Sequence, residues 1–153
     1  MFTAYRVTEY WQRAAVYYIR MDEFVHEFEG GVDHELDERD SPDAPYILVL
    51  NEKGKPASTC RLRYLDAETG KIERVSTLKE FRHTGAGTVA IKAAEDWLQE
   101  NGVKRVVINS RDTAIGFYEK IGYTTDWDSL QKREGGMFGT VNTYKTLVED
   151  ETN

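Results

Sequence analysis

The stretch FRHTGAGTVA, residues 81 to 90, decides how this chain is interpreted. It joins a basic side chain, Arg82, to two glycines, Gly85 and Gly87, and leads directly into a helical pattern. The free N–H groups and partial positive charge of a helix N-terminus favour an anion such as phosphate. Glycines let phosphate oxygens approach the backbone, and an arginine adds a bidentate donor. The stretch is therefore either a cradle for an anionic ligand or an ordinary helix start.

Two common phosphate-binding loops are excluded at this position. A P-loop requires a lysine directly after its last glycine, whereas Thr88 follows Gly87. The dinucleotide fingerprint requires three glycines spaced G-x-G-x-x-G after a first strand, and this spacing is absent. The surrounding sequence therefore has to decide what the motif binds.

The segments before the motif predict a helix and a β-meander. A first strand, FTAYRV, precedes a helix whose apolar residues recur at steps of three and four and predict one buried stripe. That stripe consists of Trp11, Ala15, Tyr18, Met21, Val25 and Phe28. The glycines of EGG at 29–31 end the helix, and residues 30–45 form a long acidic loop. Three strands then follow in antiparallel order: YILVL, ASTCRLRYL and KIERVSTL.

The segments after the motif alternate between helix and strand. A helix over 88–100 has an apolar side of Ala90, Ala93, Ala94, Trp97 and Leu98, and a polar side of Lys92, Glu95, Asp96 and Gln99. A buried strand, KRVVINS, a short helix, DTAIGFYEKIG, and a last strand, TVNTYKTLV, complete the chain. A meander followed by this alternation predicts one α+β domain over 1–153, with a mixed, mostly antiparallel sheet and helices on both faces.

Composition narrows the class of protein. The chain has 153 residues with 27 acidic and 20 basic side chains, a formal net charge of −7. This negative charge argues against a nucleic-acid partner and favours cationic partners such as amines. The alternative explanation is that the charge only keeps the protein soluble. No apolar run is long enough to cross a bilayer and no secretory signal is evident, so we expect a cytoplasmic protein without a membrane partner. Its single cysteine, Cys60, is expected to pack in the core.

Two motifs together resemble the GCN5-related N-acetyltransferase (GNAT) superfamily. They are RHTGAG at 82–87 and FYEKIGY at 117–123, and the resemblance extends over roughly residues 10 to 147. It implies acetyl-CoA as cosubstrate, no metal, and a cradle that wraps the cofactor's pyrophosphate. It also implies that the strand before the cradle binds the pantetheine arm and splays from the strand at 104–109. The residues implied are Arg82, His83, Thr84, Gly85, Ala86 and Gly87 for the pyrophosphate, and Val75, Ser76 and Thr77 for the arm.

The implied reaction moves an acetyl group to a primary amine of a small molecule, a peptide or a protein. The amine has to lose a proton, the oxyanion needs stabilisation and the thiolate has to leave. Tyr118, which matches the tyrosine of the family's FY element, is the candidate general acid. The alternative is that Tyr118 only packs in the core. Glu73 is the candidate base, and its alternatives are a solvated strand residue or a partner of Arg61 or Arg63. A homodimer would be usual for such folds.

Other features leave alternatives open. His83 stands where the family usually has glycine, and Arg111 where it commonly has Asn or Gln, so a non-catalytic acyl-CoA sensor or interaction module is one alternative. Arg20, Phe24, Asp37, Asp40 and the pair Arg61-Leu62 resemble the N-terminal half of acyl-homoserine-lactone synthases, which share this architecture, so such an enzyme is a second alternative. The loop acids Glu35, Asp37 and Asp40 either recognise a cationic acceptor or are solvated. His26 and His34 have no metal-ligand pattern around them.

Overall fold

The computed structural model describes residues 1–28, 35–132 and 139–147, except for the side chains at 27 and 28. Its elements are β1 (Thr3–Arg6), α1 (Tyr10–Phe28), β2 (Tyr46–Leu50), β3 (Pro56–Tyr64), β4 (Thr69–Thr77), α2 (Ala86–Glu100), β5 (Arg105–Arg111), α3 (Ile115–Lys120), β6 (Thr124–Lys132) and β7 (Gly139–Thr146). The strands form one sheet in the order β1-β2-β3-β4-β5-β7-β6. Every neighbouring pair is antiparallel except β4 and β5, which confirms the predicted α+β class.

The helices cover both faces of the sheet, as the alternation of β2 shows. Tyr46 and Leu48 belong to an apolar cluster with Val16 and Ile19 of α1. Ile47 and Val49 point the other way, into a larger cluster that holds the small residues of α2 and the ring of Tyr118 from α3. Successive strand residues face opposite sides of a sheet, so α1 lies on one face and α2 and α3 on the other.

The predicted buried stripe of α1 is wrong at three positions, whereas Ala15 and Met21 are half-buried and the Phe28 side chain lies outside the described residues. Trp11 and Tyr18 are 56% and 55% exposed, and Val25 is also exposed. The buried face consists of Gln12, Val16, Ile19 and Arg20. Gln12 can lie inside because its side-chain oxygen accepts hydrogen bonds from the amides of Thr8 and Glu9, at 2.7 and 2.9 Å. Polar partners therefore decide which face of this helix is buried.

Two further differences concern α2 and β6. The apolar side of α2 is buried as predicted at Ala90, Ala94 and Leu98, but Glu95 from its polar side is buried as well. Glu95 accepts hydrogen bonds from the Tyr123 hydroxyl at 2.8 Å and the Lys145 ammonium at 3.1 Å. Strand β6 was not predicted, because it is an edge strand without regular apolar alternation. The EGG segment and His34 lie outside the described residues.

An opening between β4 and β5 is the feature that positions the site. Their parallel pairing covers only Thr69–Lys71 against 105–107. Further along, β4 contains a bulge: Thr59 pairs with Ser76 and Arg61 pairs with Glu73, so one residue of β3 faces two of β4. Arg74 within this bulge has a φ of 52°. Because a bulge bends its strand and increases the twist, β4 diverges from β5 and leaves a slot between them.

Candidate functional site

The predicted cradle is a turn that ends in the N-terminus of α2. After β4 a short 3-10 turn covers Lys79–Phe81, and the backbone then passes through two left-handed positions, His83 with φ 62° and Gly85 with φ 95°. Gly85 is the N-cap of α2, and no side chain of the residues described here caps it. The first helical hydrogen bond runs from the Val89 amide to the Gly85 carbonyl at 3.0 Å. The N–H groups of the first turn are therefore oriented to bind an anion.

The two glycines of the cradle serve different purposes. A Cβ atom on Gly85 would meet nothing within 4 Å, so glycine is favoured there by the positive φ and not by crowding. A Cβ atom on Gly87 would lie 3.3 Å from both the Thr77 hydroxyl oxygen and the ring of Phe117. Gly87 therefore brings α2 close to β4 and α3 at the mouth of the slot. The sequence interpretation, clearance for phosphate, had not included this packing role.

On the face covered by α2 and α3, an aromatic cluster packs in the core, with Phe117 next to Gly87 at the start of α2. Tyr118 is 6% exposed, and its ring packs edge-on against Phe117 and Tyr123 with centroid distances of 5.0 and 5.9 Å. Burial raises the pKa of the Tyr118 phenol, so the group is protonated at neutral pH. Burial also raises the pKa of the Cys60 thiol, which donates to the Ala90 carbonyl at 3.7 Å and packs in the core.

On the face covered by α1, a carboxylate that the sequence did not single out spans the slot. Glu23 of α1 accepts a hydrogen bond from the Ser76 hydroxyl of β4. Its other oxygen lies 3.6 Å from the guanidinium of Arg111, the last residue of β5. The side chain of Glu23 is 11% exposed and that of Arg111 is 39% exposed. Glu23 lies about one helical turn after Arg20, so both side chains are on the same face of α1. The apolar pattern of the sequence placed a different face of this helix in the core, so it did not point to Glu23.

A cavity of about 190 Å³ connects Glu23 with the cradle. Its lining consists of Asp22, Glu23 and His26 from α1, and Lys79 and Arg82 from the turn after β4. A larger cavity of about 510 Å³ lies against β5, β6 and β7, where Trp127 and Tyr144 contribute to its walls. None of the cradle or slot residues lines the larger cavity, so the smaller one belongs to the candidate site.

Next to Glu23, an ion-pair network fixes the loop before β2. Arg20 and Arg61 have side chains that are 1% and 3% exposed, and Asp40 lies between them. Asp40 accepts hydrogen bonds from Arg20, from Arg61 at 2.8 Å and from the Tyr46 hydroxyl. Burial works against ionisation of Asp40, but these donors outweigh it and hold the pKa of Asp40 well below its usual range. Asp40 is therefore an ionised structural group.

The remaining charges predicted as site residues join the same network. Glu73 accepts hydrogen bonds from two nitrogens of Arg61, at 3.0 and 3.1 Å, which is one of the alternatives considered for it. Glu35 pairs with Arg20 at 3.0 Å, and Asp37 pairs with Arg61 at 3.0 Å. Arg20, Asp37, Asp40 and Arg61, which the sequence compared with acyl-homoserine-lactone synthases, thus belong to one ion-pair network, and the loop acids bind arginines of this chain.

Two observations concern metals and membranes. Across residues 1–28, 35–132 and 139–147, no group of three or more His, Cys, Asp and Glu side chains is arranged to hold a metal ion. Within those same ranges, no helix combines the length and apolar character needed to cross a membrane.

Comparisons with known proteins agree on one family. The sequence profile of the acetyltransferase (GNAT) family matches residues 13–123. A "putative acetyltransferase" of Bacillus subtilis (strain 168) is 37% identical over 109 residues, which cover 70% of this chain and 73% of that protein. The crystal structure of a "putative N-acetyltransferase" from Lactobacillus plantarum has a TM-score of 0.85 at 28% identity, with 96% and 99% of the two chains covered.

A more distant structure shares the fold alone. The crystal structure of an aminoglycoside 6'-N-acetyltransferase, complexed with coenzyme A, has a TM-score of 0.73 at 11% identity. The match covers 98% of each chain. The fold described above is thus shared with one protein whose crystal structure contains coenzyme A.

Proposed function

Because the chain belongs to the acetyltransferase (GNAT) family, we propose that it transfers an acetyl group from acetyl-CoA to a primary amine. The observation that carries the proposal is the opening between β4 and β5 together with the start of α2, which no described side chain caps; Tyr118 packs against Phe117, and Phe117 lies next to Gly87 at that helix start. The coenzyme A complex of a protein with the same fold supports the choice of cofactor.

On the cofactor side, backbone groups do most of the binding. The amides of Gly85, Ala86 and Gly87 receive the pyrophosphate at the start of α2, where the helix dipole favours negative charge. Arg82 and the turn residues His83 and Thr84 border the same site. The stretch of β4 beyond its pairs with β5, Val75 to Thr77, binds the pantetheine arm through its main chain. The acetyl group then reaches the slot beside Tyr118.

In the reaction, the neutral amine attacks the thioester carbonyl carbon and the carbon–sulfur bond breaks. Tyr118 gives its proton to the departing sulfur. Burial raises the pKa of this phenol, so it carries its proton at neutral pH and has one to donate as negative charge develops on the sulfur. Backbone N–H groups of the divergent part of β4 stabilise the oxyanion. The sequence proposed Glu73 as the general base. Its two hydrogen bonds from Arg61 support the alternative role, that of an ion-pair partner of this arginine.

Calorimetry and a thiol assay test the proposal. Acetyl-CoA should bind the wild-type protein, and Arg82→Glu should weaken the binding at least tenfold because it places a carboxylate beside the diphosphate. Release of free CoA thiol should then require an amine from a panel of n-butylamine, putrescine and a short peptide with a free α-amino group. No heat with saturating acetyl-CoA would overturn the cofactor assignment. Binding without thiol release across the panel would overturn the enzymatic function and leave the sensor alternative.

A further inference from the structure

We propose that Lys145 of β7 is a positioning residue for the acyl transfer, because its ammonium group holds the end of α3 that carries Tyr118 against α2. The inference rests on the proposed function, in which Tyr118 is the general acid, and goes further by identifying what keeps that acid in place. It also gives a role to Gly122, the glycine of the FYEKIGY motif.

Helix α3 is too short to hold its own position. It covers six residues, Ile115–Lys120, which is less than two turns. Isolated helices shorter than about 12–15 residues are only marginally stable in water. Its N-cap is Ala114, whose methyl group cannot accept a hydrogen bond from the free amides of the first turn. The place of Tyr118 therefore depends on contacts that α3 makes with the rest of the protein.

Lys145 joins three elements through one ammonium group. Its backbone lies in β7 and pairs with Val106 of β5 inside the sheet. The ammonium donates to the Ile121 carbonyl, at the C-terminal end of α3, at 3.0 Å. It also donates to the two carboxylate oxygens of Glu95, in α2, at 3.1 and 3.2 Å. All three of its hydrogens therefore have a partner, and the end of α3 is connected to both the sheet and α2.

The turn after α3 transmits this connection to Tyr118. The amides of Ile121 and Tyr123 both donate to the Tyr118 carbonyl, at 3.1 and 3.0 Å. Gly122 between them has a φ of 100°, and a Cβ atom there would lie 3.3 Å from the Cε atom of Lys145. Glycine is thus favoured both by the backbone conformation and by the passage of the lysine side chain. The lysine therefore holds the same turn that closes on the Tyr118 backbone.

The Tyr118 hydroxyl lies within electrostatic reach of the slot. Burial is the main influence on the pKa of this phenol, which it raises, and the Arg111 guanidinium and Glu23 carboxylate at the slot also affect it. Acid catalysis requires the proton donor to lie within hydrogen-bonding distance of the departing sulfur. A displacement of about 1 Å at a reacting group can cost about 10²-fold in rate. A small shift of α3 would therefore lower kcat without unfolding the protein.

The alternative is that Lys145 contributes stability alone. Glu95 is 4% exposed, and it also accepts a hydrogen bond from the Tyr123 hydroxyl at 2.8 Å. Loss of Lys145 leaves this buried carboxylate without its cation, which destabilises the fold whatever the protein does. The test therefore needs a variant that breaks the ion pair and keeps the tie to α3. Glu95→Gln is such a variant, because its amide oxygen can still accept and Lys145 still donates to the Ile121 carbonyl.

The test measures the kcat of thiol release, per folded protein, for Lys145→Met and Glu95→Gln with the panel amine that wild type uses fastest. Both variants break the ion pair, so both should unfold at a lower urea concentration than wild type. Lys145→Met should lower kcat at least about tenfold, whereas Glu95→Gln should keep it within about threefold of wild type. Both should bind acetyl-CoA with the wild-type Kd, because neither change touches the turn before α2.

A double-mutant cycle shows whether Lys145 acts through Tyr118. In the Tyr118→Phe background, Lys145→Met should lower kcat by less than about twofold, since the phenylalanine ring has no proton to misplace. A purely stabilising role would lower kcat by the same factor in both backgrounds. If Lys145→Met alone does not fold, the triple variant Glu95→Met/Tyr123→Phe/Lys145→Met takes its place in the cycle, since it removes the buried charges together with the tie.

The outcomes separate this inference from the proposed function. Equal kcat values for Lys145→Met and Glu95→Gln overturn the positioning role and leave the acyl transfer intact. So does a loss at Lys145 that persists in full without the Tyr118 hydroxyl. Wild type that releases no thiol with any amine overturns the proposed function and this inference together.

Discussion

The two sides of the slot are built in different ways. On the proposed cofactor side, three consecutive residues, 85–87, present backbone amides at the start of one helix. On the opposite face, which α1 covers and which would be the acceptor side of the proposed reaction, the groups are side chains that come from α1, the loop at 35–40, β3, β4 and β5. The first site is local in sequence and made of main chain, whereas the second is assembled from distant segments and made of charges.

This difference decides how each side responds to substitution. A backbone cradle tolerates changes of exposed side chains, because its donors are peptide groups that every residue other than proline supplies. A buried charge network has no such tolerance, because removing one partner leaves the others desolvated without compensation. We therefore expect substitutions on the acceptor side to act on stability and substitutions on the cofactor side to act on affinity.

The largest effect is expected from Asp40→Asn. The change removes the negative charge that Arg20 and Arg61 share, so it should lower the free energy of unfolding by about 3–5 kcal/mol. Urea denaturation followed by circular dichroism measures this loss. The folded fraction should keep the wild-type affinity for acetyl-CoA, because the cradle lies on the other side of the slot.

The exposed carboxylate of Glu119 provides the control for Asp40→Asn. Glu119→Gln removes one negative charge at an exposed position and should shift the unfolding free energy by no more than about 0.5 kcal/mol. If both variants unfolded at the same urea concentration, the network would contribute no more than an exposed surface charge, and the contrast between the two sides would fail.

A second effect is the acid sensitivity of the same network. The arginines around Asp37 and Asp40 outweigh their burial and hold the pKa of both carboxyls below the usual range. The unfolded chain therefore binds protons more readily than the folded one as the pH falls. The stability that these groups contribute is complete well above their unfolded pKa of about 4 and is lost as the pH drops below that value. Unfolding free energies at about pH 6, 4 and 3 should fall more steeply for wild type than for Asp40→Asn, and parallel curves would contradict this origin.

The sequence predicted one side of the slot much better than the other. The resemblance based on RHTGAG and FYEKIGY is confirmed at the level of the family, and the divergence expected of β4 and β5 is present in the structure. These features could be predicted because each depends on neighbouring residues: a glycine turn, a helix start and a short aromatic helix.

The acceptor side could not be predicted because its determinants are far apart in the chain. Apolar periodicity placed Trp11 and Tyr18 in the core, although both are more than half exposed. The helix instead buries Arg20, whose partners Glu35 and Asp40 lie 15 and 20 residues further along. A hydropathy pattern contains no information about such partners, so the face that carries Glu23 was missed.

A third prediction concerns Tyr118→Phe, which should lower kcat about 100-fold with little change in KM, as expected for loss of a general acid. Tyr123→Phe is the matched control in the same aromatic cluster. It removes a hydroxyl that donates to the buried Glu95 at 2.8 Å, so it should cost about 1.5–3 kcal/mol of stability and leave kcat unchanged. Steady-state kinetics and urea denaturation of both variants check the pair. Equal kcat values for wild type and Tyr118→Phe would reduce Tyr118 to core packing.

The smallest expected effect separates affinity from stability on the cofactor side. Thr88 is exposed in the first turn of α2, close to where the diphosphate would lie. A glutamate there should stabilise the helix by about 0.3–1 kcal/mol through the dipole, and it should raise the Kd for acetyl-CoA about fivefold by repulsion. Thr88→Gln has the same length without the charge, so the ratio of the two Kd values isolates the electrostatic part. That ratio should shrink as salt is added, since screening weakens exposed charges. Equal Kd values for the two variants at low salt would mean that the anion does not bind at this helix end.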